Sequence, residues 1–245
     1  MEKHLFTIEA NELIADGTMK LTLAADDSNF VADGEFVDVS IPGYYLRRPL
    51  SFCDTWPGHI VLIYKMVGEG TKKLGTMLPG ETLEILTGLG RGYDPDACKE
   101  SALLVAGGLG AAPLYTLCKK LKAQGKKVTV VLGFNKADEI VLADEYKALC
   151  DCLAIATLDG SVGTKGFVTD AIAAIKPEFD YFYTCGPMVM MKAVCNTLET
   201  GGEASLEERM GCGAGFCYGC SVHTASGTKR ICKDGPVFKK EDILW

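Results

Sequence analysis

The sequence predicts a multidomain β and α/β protein. Three observations predict it: apolar runs broken by glycine and proline over the first hundred residues, a strand–glycine turn–helix rhythm from residue 101, and an irregular glycine- and cysteine-rich tail. In the first part the runs FTIEA, MKLTLAA, EFVDVSIPG, RRPLSFCD, HIVLIYKMVG and ETLEILTGLG follow at regular spacing. Phe36, Val37, Val39 and Ile41, and the β-rich stretch Ile60–Tyr64, have strand character. Residues 1–97 are therefore expected to form an all-β domain, a small barrel or sandwich.

From residue 101 the order is ALLVAGG, AAPLYTLCKKLKAQG, KKVTVVLGF and DEIVLADEYKALC, continuing through CLAIATLDG, GFVTDAIAAI, FDYFYTCG and PMVMMKAVCNTLET. A continuous apolar run, an amphipathic helix and another run make the βαβ unit of a parallel sheet covered on both faces. Residues 101–200 are expected to form a doubly wound parallel α/β nucleotide-binding domain. Residues 203–245 hold four cysteines and little periodic hydrophobicity. So short a segment cannot stabilise itself by apolar burial and needs a staple.

Composition narrows the function classes. With 25 basic against 32 acidic residues the net charge is −7, and no Lys/Arg block offers a footprint for nucleic acid. The longest mainly apolar uncharged run, Ser101 to Cys118, is broken by glycines and a proline, so no membrane span is expected. An odd total of 11 cysteines, with no charged-then-apolar leader in MEKHLFTIEA, points to a reducing, cytoplasmic setting and to metal or redox use of thiols.

Four of those cysteines carry the chemistry. Cys212, Cys217, Cys220 and Cys232 stand at C-x4-C-x2-C-x11-C, and the first three match the plant-type ferredoxin spacing around a [2Fe–2S] cluster. Gly211, Gly213, Gly215 and Gly219 leave backbone N–H groups free to approach sulfur. A four-cysteine zinc site is the serious alternative, although its usual knuckles are two C-x2–4-C pairs. A Rieske centre needs two histidines and the tail has only His223. The other cysteines, at 53, 98, 118, 150, 152, 185 and 195, lack ligand-like clustering, and most are expected to be small apolar fillers.

Two nucleotide sites are expected. In LLVAGGLGAAPL, Gly107, Gly108 and Gly110 turn a strand into a helix whose first turn holds Pro113, a favourable seat for a pyrophosphate; tight strand–helix packing also selects glycine here. Cys185, Gly186 and Pro187 end a later strand on the ligand side of such a sheet, so Cys185 is a candidate nicotinamide contact, its alternative being a buried thiol. After Gly133-Phe134-Asn135-Lys136 no arginine awaits a 2′-phosphate, while Asp138 and Glu139 suit a ribose hydroxyl, which favours NAD over NADP. In the β domain, the segment Arg47-Arg48-Pro49-Leu50-Ser51 offers an arginine fork and a serine hydroxyl that suit one phosphate, and the N–H groups of Gly70 and Thr71 suit its neighbour. Each alone reads equally as an ordinary turn; beside a nicotinamide domain and a metal cluster they point to a flavin.

The motifs RRPLS (47–51), IYKMVGEGT (63–71), LLVAGGLGAAPL (103–114), DGSVGTKG (159–166), CGP (185–187) and ERMGCGAGFCYGCSV with CKDGPVF make essentially the whole chain resemble the ferredoxin-reductase superfamily. Within it the chain resembles the electron-transfer subunits of class 1B, NAD-dependent dihydroorotate dehydrogenase. The resemblance implies an N-terminal antiparallel β-barrel holding FAD on Arg48, Pro49, Leu50, Ser51, Ile63, Tyr64, Lys65, Gly70 and Thr71. It implies NAD on the α/β domain and a small C-terminal [2Fe–2S] module on Cys212, Cys217, Cys220 and Cys232. Many plant-type reductases carry tyrosine where Leu50 stands and end in an aromatic over the flavin; here the chain continues into the cluster module instead. The implied role is electron transfer from the FMN of a dihydroorotate dehydrogenase catalytic subunit, through the cluster and FAD, to NAD+ in pyrimidine biosynthesis. The implied assembly is a heterotetramer of two of each subunit, with the Phe216–Tyr218 loop a candidate contact. The runner-up is the FAD/[2Fe–2S] small subunit of an NAD(P)H–ferredoxin oxidoreductase.

Overall fold

Along the first ninety residues, alternate apolar side chains turn inward and close a sheet on itself. A computed structural model describes residues 1–26 and 35–245. Strands β1 (Glu2–Ala15), β2 (Thr18–Ala25), β3 (Phe36–Val39), β4 (Arg48–Trp56), β5 (His59–Lys65) and β6 (Thr82–Leu89) form a closed antiparallel barrel in the order β1-β2-β5-β4-β3-β6. Its interior is filled by side chains such as Phe6, Ile8, Leu21, Leu23, Val37, Val39, Leu62 and Ile85. Helix α1 (Glu69–Leu74) follows β5 and drops Leu74 into the same core. A buried polar knot fixes it there: the Tyr64 hydroxyl donates to Asn11 Oδ1 (3.0 Å), and Asn11 Nδ2 donates to the carbonyls of Leu74 and Met77 (2.8 and 3.1 Å). These bonds satisfy groups that would otherwise be buried unpaired, and they hold the turn at Gly70 and Thr71 against the barrel.

The apolar run ALLVAG forms β7 (Ser101–Gly107), buried from Ala102 onward as a central parallel strand should be. Around it β10 (Thr164–Lys165), β9 (Cys152–Thr157), β8 (Lys127–Phe134), β7, β11 (Tyr181–Cys185), β12 (Gly202–Ser205) and β15 (Val237–Lys239) form a seven-stranded sheet in that order. All pairs are parallel except β12 with β15. The connecting helices are α2 (Ala111–Ala123), α3 (Ala143–Leu149), α4 (Val168–Ile175) and α5 (Met188–Thr197). Strand β7 lies between β8 and β11, so the order reverses beside it, and the crevice at the carboxyl ends of β7 and β11 is where ligands settle in such sheets. At the other end of β7, Asp180 accepts the N–H groups of Lys99, Glu100 and Ser101 (2.8, 2.7 and 2.9 Å).

The sheet takes two strands from beyond residue 200, where the sequence carries no periodic signal. Gly201 and Gly202 lie against the rings of Tyr181 and Phe182; a Cβ on Gly202 would stand 2.3 Å from Phe182. The tail also holds the hairpin β13 (Ser221–Thr224) and β14 (Gly227–Arg230) and the turn α6 (Ile231–Asp234). The chain divides into two compact units, one of Met1–Gly92, Glu207–His223 and Gly227–Pro236, the other of Tyr93–Leu206, Thr224–Ser226 and Val237–Trp245. Among the described residues no helix is long and apolar enough to cross a membrane.

Candidate functional site

The β4–β5 ladder runs from Trp56↔His59 to Phe52↔Leu62, with a shift of register on the way. Arg48, Pro49, Leu50 and Ser51 on one strand and Ile63, Tyr64 and Lys65 on the other lie beyond its last pair. On that side Arg48 to Ser51 pair instead with β3. The Arg48 guanidinium lies over the α1 turn: a Cβ on Gly70 would stand 2.7 Å from its Nε and Nη2, so a side chain there would displace it. The same guanidinium is 5.5 Å from the centre of the Tyr44 ring and donates to the Leu46 carbonyl (2.5 Å). Two N–H groups of a first helical turn, which have no partner within the helix, thus sit beside a fixed positive charge. The Thr71 hydroxyl is already used, accepting from the N–H groups of Val67 and Gly68 (3.1 and 3.2 Å).

Two sequence expectations change here. Arg47 turns away from the α1 turn that Arg48 covers: it pairs with the Glu84 carboxylate and donates to the Asp38 and Glu84 carbonyls (3.3 and 3.1 Å). Tyr64 is on the expected strand, but its ring fills the barrel core, so only its backbone faces outward.

In the tail, the cysteines meet as two pairs. Cys212 lies against Cys217, and Cys232 against Cys220. Backbone N–H groups point at the sulfurs, from Phe216 and Cys217 to Cys212 Sγ (3.3 and 3.4 Å), from Gly219 to Cys217 Sγ (3.4 Å) and from Cys232 to Cys220 Sγ (3.4 Å). Burial raises the Cys212 thiol, and N–H bonds from Ala214, Cys217 and Phe216 outweigh it and bring the pKa down to about 6. Burial and the adjoining Cys220 push Cys232 up to about 12. Gly213 and Gly215 have positive φ (62° and 84°), and a Cβ on either would strike Asp38 or the Lys233 stem, at 2.6 and 2.7 Å. Among the described residues no three His, Cys, Asp or Glu side chains gather as one ion site. Two sulfur pairs lined by N–H donors suit a two-iron cluster, which spreads its ligands over two metals. His223 sits on the hairpin against Thr228 (3.3 Å). Cys98 and Cys195 are pushed up to about 11 and Cys118 to about 12, in each case mainly by burial, as expected of apolar fillers.

In the α/β unit the structure brings the two predicted segments together. A Cβ on Gly110 would lie 2.2 Å from the Cys185 carbonyl oxygen, one on Gly107 2.8 Å from Pro187 Cδ, and one on Gly186 2.8 Å from the Gly107 nitrogen. The first turn of α2, with Pro113 buried in it, therefore packs on the backbone at the end of β11. Gly108 has φ 53° and open space on its Cβ side, leaving its backbone bare. Beneath, the Tyr93 hydroxyl donates to the Thr184 carbonyl (2.8 Å), and Thr184 Oγ1 to the Val105 carbonyl (2.9 Å). Cys185 is half-buried. Glu139 accepts from Asn135 (2.8 Å) and Asp138 pairs with Lys136 (2.9 Å) just past β8.

Sequence reasoning missed Asp38. It is 4% exposed, its Oδ1 has no hydrogen-bond partner, and its Oδ2 faces Gly213. Burial raises its pKa to about 6 against the opposing pull of Arg47 and Arg48. Between the unfolded value and 6 the folded state holds a proton the unfolded chain lacks, so stability falls as pH rises through that window, by about 3 kcal/mol in all. Asp38→Asn is expected to raise the unfolding midpoint at pH 7.5 and to change it little at pH 4; an equal effect at both would show the carboxyl is not the group responsible. The alternation of FVDV sets Asp38 on the face opposite Val37 and Val39, so the sequence carried no signal of its burial.

Comparison with known proteins fits this geometry. A family described as the iron–sulfur cluster binding domain of dihydroorotate dehydrogenase B matches residues 207–244, and an oxidoreductase NAD-binding domain matches 104–196. The chain is 40% identical to the "Dihydroorotate dehydrogenase B (NAD(+)), electron transfer subunit" of Fusobacterium nucleatum, over 97% of this chain and 96% of that protein. It is 39% identical to the protein of the same name from Bacillus pumilus, over 99% and 98%. Among solved structures, that of an NADH-dependent reduced ferredoxin-NADP oxidoreductase superposes with a TM-score of 0.89 at 32% identity, covering 98% of this chain and 90% of that one. Phthalate dioxygenase reductase shares the fold, with a TM-score of 0.68 at 17% identity over 91% and 87%.

Proposed function

The chain belongs to the electron-transfer subunits of NAD-dependent dihydroorotate dehydrogenase B, and from that premise we propose that it carries electrons from the FMN of a separate catalytic subunit to NAD+ by way of a [2Fe–2S] cluster and FAD. The observation that carries this reading is the cysteine tail: two thiol pairs, Cys212 with Cys217 and Cys220 with Cys232, lined by N–H donors aimed at sulfur. Thiolates so solvated hold iron and accept the change of cluster charge without rearrangement. FAD, when bound, supplies the conversion between single electrons and a hydride. The chain's own part is to hold and orient. Arg48 offers a guanidinium to a phosphate, the N–H groups of Gly70 and Thr71 offer a second seat, and the strand ends from Arg48 to Ser51 and from Ile63 to Lys65 flank the ring system. Gly107, Gly108 and Gly110, with Pro113, seat the NAD pyrophosphate, and Cys185, Gly186 and Pro187 face the nicotinamide.

The proposed assembly is a heterotetramer of two of each subunit in the cytoplasm, where thiols stay reduced. No side chain of this chain is assigned to oxidising dihydroorotate. The test is the visible spectrum with iron and flavin content of anaerobically purified protein, followed by reduction with NADH and by dihydroorotate plus the FMN subunit. Flavin bands, a broad iron–sulfur envelope and bleaching by both donors are expected. Absence of flavin and iron would sink the proposal. Bleaching by reduced ferredoxin but not by dihydroorotate with its subunit would move the protein to the ferredoxin oxidoreductases, whose known member shares its fold.

A further inference from the structure

Among the described residues, the cysteine tail holds a charged pair that the cluster ligands do not account for. Arg230 precedes the α6 turn that carries Cys232, and its side chain is bound on three sides. Its Nε meets Asp234 Oδ2 (3.2 Å), its Nη1 donates to the Gly215 carbonyl (2.8 Å), and its guanidinium lies 4.8 Å from the centre of the Tyr218 ring. The Arg230 N–H also donates to Asp234 Oδ2 (2.9 Å). Both side chains are mostly buried, at 19% and 26% exposure, so the pair is less screened than a surface ion pair.

The partners of Arg230 are not arbitrary. Gly215 lies between Cys212 and Cys217, Tyr218 between Cys217 and Cys220, and Asp234 two residues past Cys232. One guanidinium thus ties the stretches between the first three cysteines to the turn bearing the fourth. Tyr218 needs such a hold: its φ is 58°, the left-handed region that bulky side chains avoid, and it is fixed by the Arg230 contact on its ring and by Ser221 Oγ on its carbonyl (2.7 Å). The Lys233 stem closes over Gly215 from the same turn.

We propose that Arg230 is a positioning residue of the cluster loop and, with Asp234, sets the reduction potential of the cluster those cysteines hold. The inference rests on the iron–sulfur reading above. Reduction adds one negative charge to the cluster; Arg230 favours that charge, Asp234 opposes it, and together they nearly cancel. Removing either member exposes the other. Arg230→Gln leaves the Asp234 carboxylate, two residues past Cys232, without its counter-charge and lowers the potential, whereas Asp234→Asn leaves the guanidinium and raises it.

The experiment is a redox titration of the cluster by electron paramagnetic resonance in the complete protein and in Arg230→Gln, Arg230→Lys and Asp234→Asn, with iron content measured on each. Expected are shifts of opposite sign in Arg230→Gln and Asp234→Asn, each near tenfold in the one-electron equilibrium, or about 59 mV, with Arg230→Lys close to the parent potential but with a broadened signal. Shifts of the same sign, or none in variants that keep their iron, would overturn the proposal. If Arg230→Gln loses its iron, Asp234→Asn decides: a raised potential supports the pair and an unchanged one refutes it. A parent protein without iron would instead refute the iron–sulfur reading.

Discussion

Cys220→Ser is expected to abolish the iron–sulfur spectrum and to lower electron transfer from the dihydroorotate-oxidising subunit by at least about 100-fold, since removing even an outer contact of a metal ligand costs up to that much. Reduction of the flavin by NADH is expected to stay within about twofold of the parent. The first half follows from position. Cys220 is 2% exposed, pairs with Cys232 and accepts the Cys232 N–H, so a serine oxygen replaces a buried, pre-solvated sulfur with a poorer iron ligand. The second half follows from where the barrel gets its stability. Its core is drawn from residues between Phe6 and Ile85, with no side chain from the cysteine tail among them. Yet the segments Glu207–His223 and Gly227–Pro236 belong to the same compact unit as the barrel, and Gly213 rests on Asp38. The variant therefore separates two designs. Retained flavin with lost iron means that the barrel holds FAD unaided; joint loss means that the cluster loop is part of the flavin site's support. Anaerobic spectra and stopped-flow reduction by NADH read both halves.

Much of this molecule was legible in its sequence because the signals are local. A buried parallel strand is an unbroken apolar run, which ALLVAG is. A glycine turn into a helix is punctuated within four residues, and three cysteines within nine residues declare a shared ligand. What was not legible depends on residues far apart in sequence. Strand β12 has only four residues, and its pairing with β11 and β15 is set by the rings of Tyr181 and Phe182 against two glycines. The different placements of Arg47 and Arg48 depend on a distant partner rather than on adjacency: Arg47 is taken by Glu84, thirty-seven residues on. Asp38 looked like a routine acidic residue on a strand until the fold set Gly213 against it. Arg230 and Asp234 carried a faint local signal, opposite charges four apart, but their third partner, the Gly215 carbonyl, lies fifteen residues upstream. The candidate cluster was thus visible as a ligand set and invisible as an electrostatic environment.

The nucleotide side supplies the sharpest contrast between local preference and tertiary packing, at Gly110. Its backbone angles are right-handed (φ −58°, ψ −14°) at the residue capping α2, a conformation alanine adopts without strain, so that the lower freedom of the unfolded chain favours alanine by up to about 1 kcal/mol. That preference alone predicts that Gly110→Ala stabilises the protein. Packing predicts the reverse, because the new Cβ would lie 2.2 Å from the Cys185 oxygen, 2.5 Å from its carbonyl carbon and 2.9 Å from the Gly186 nitrogen. Those atoms are backbone at the end of a buried strand and cannot rotate away. Overpacking of this kind costs about 1–3 kcal/mol, which exceeds that gain, so the unfolding midpoint is expected to fall. Function should suffer more. Relief requires either the first turn of α2 or the Cys185–Gly186 peptide to move, and both belong to the proposed NAD seat. A displacement near 1 Å is enough to cost about 100-fold in rate. Flavin reduction by NADH is expected to drop by that order, with the iron–sulfur spectrum unchanged. Gly125→Ala is the control: its φ of 76° makes alanine strained, but nothing lies within 4 Å of the added carbon, so it should lose comparable stability and keep its rate with NADH. Equal rates in Gly110→Ala and the parent would remove the crevice between β7 and β11 from the hydride path.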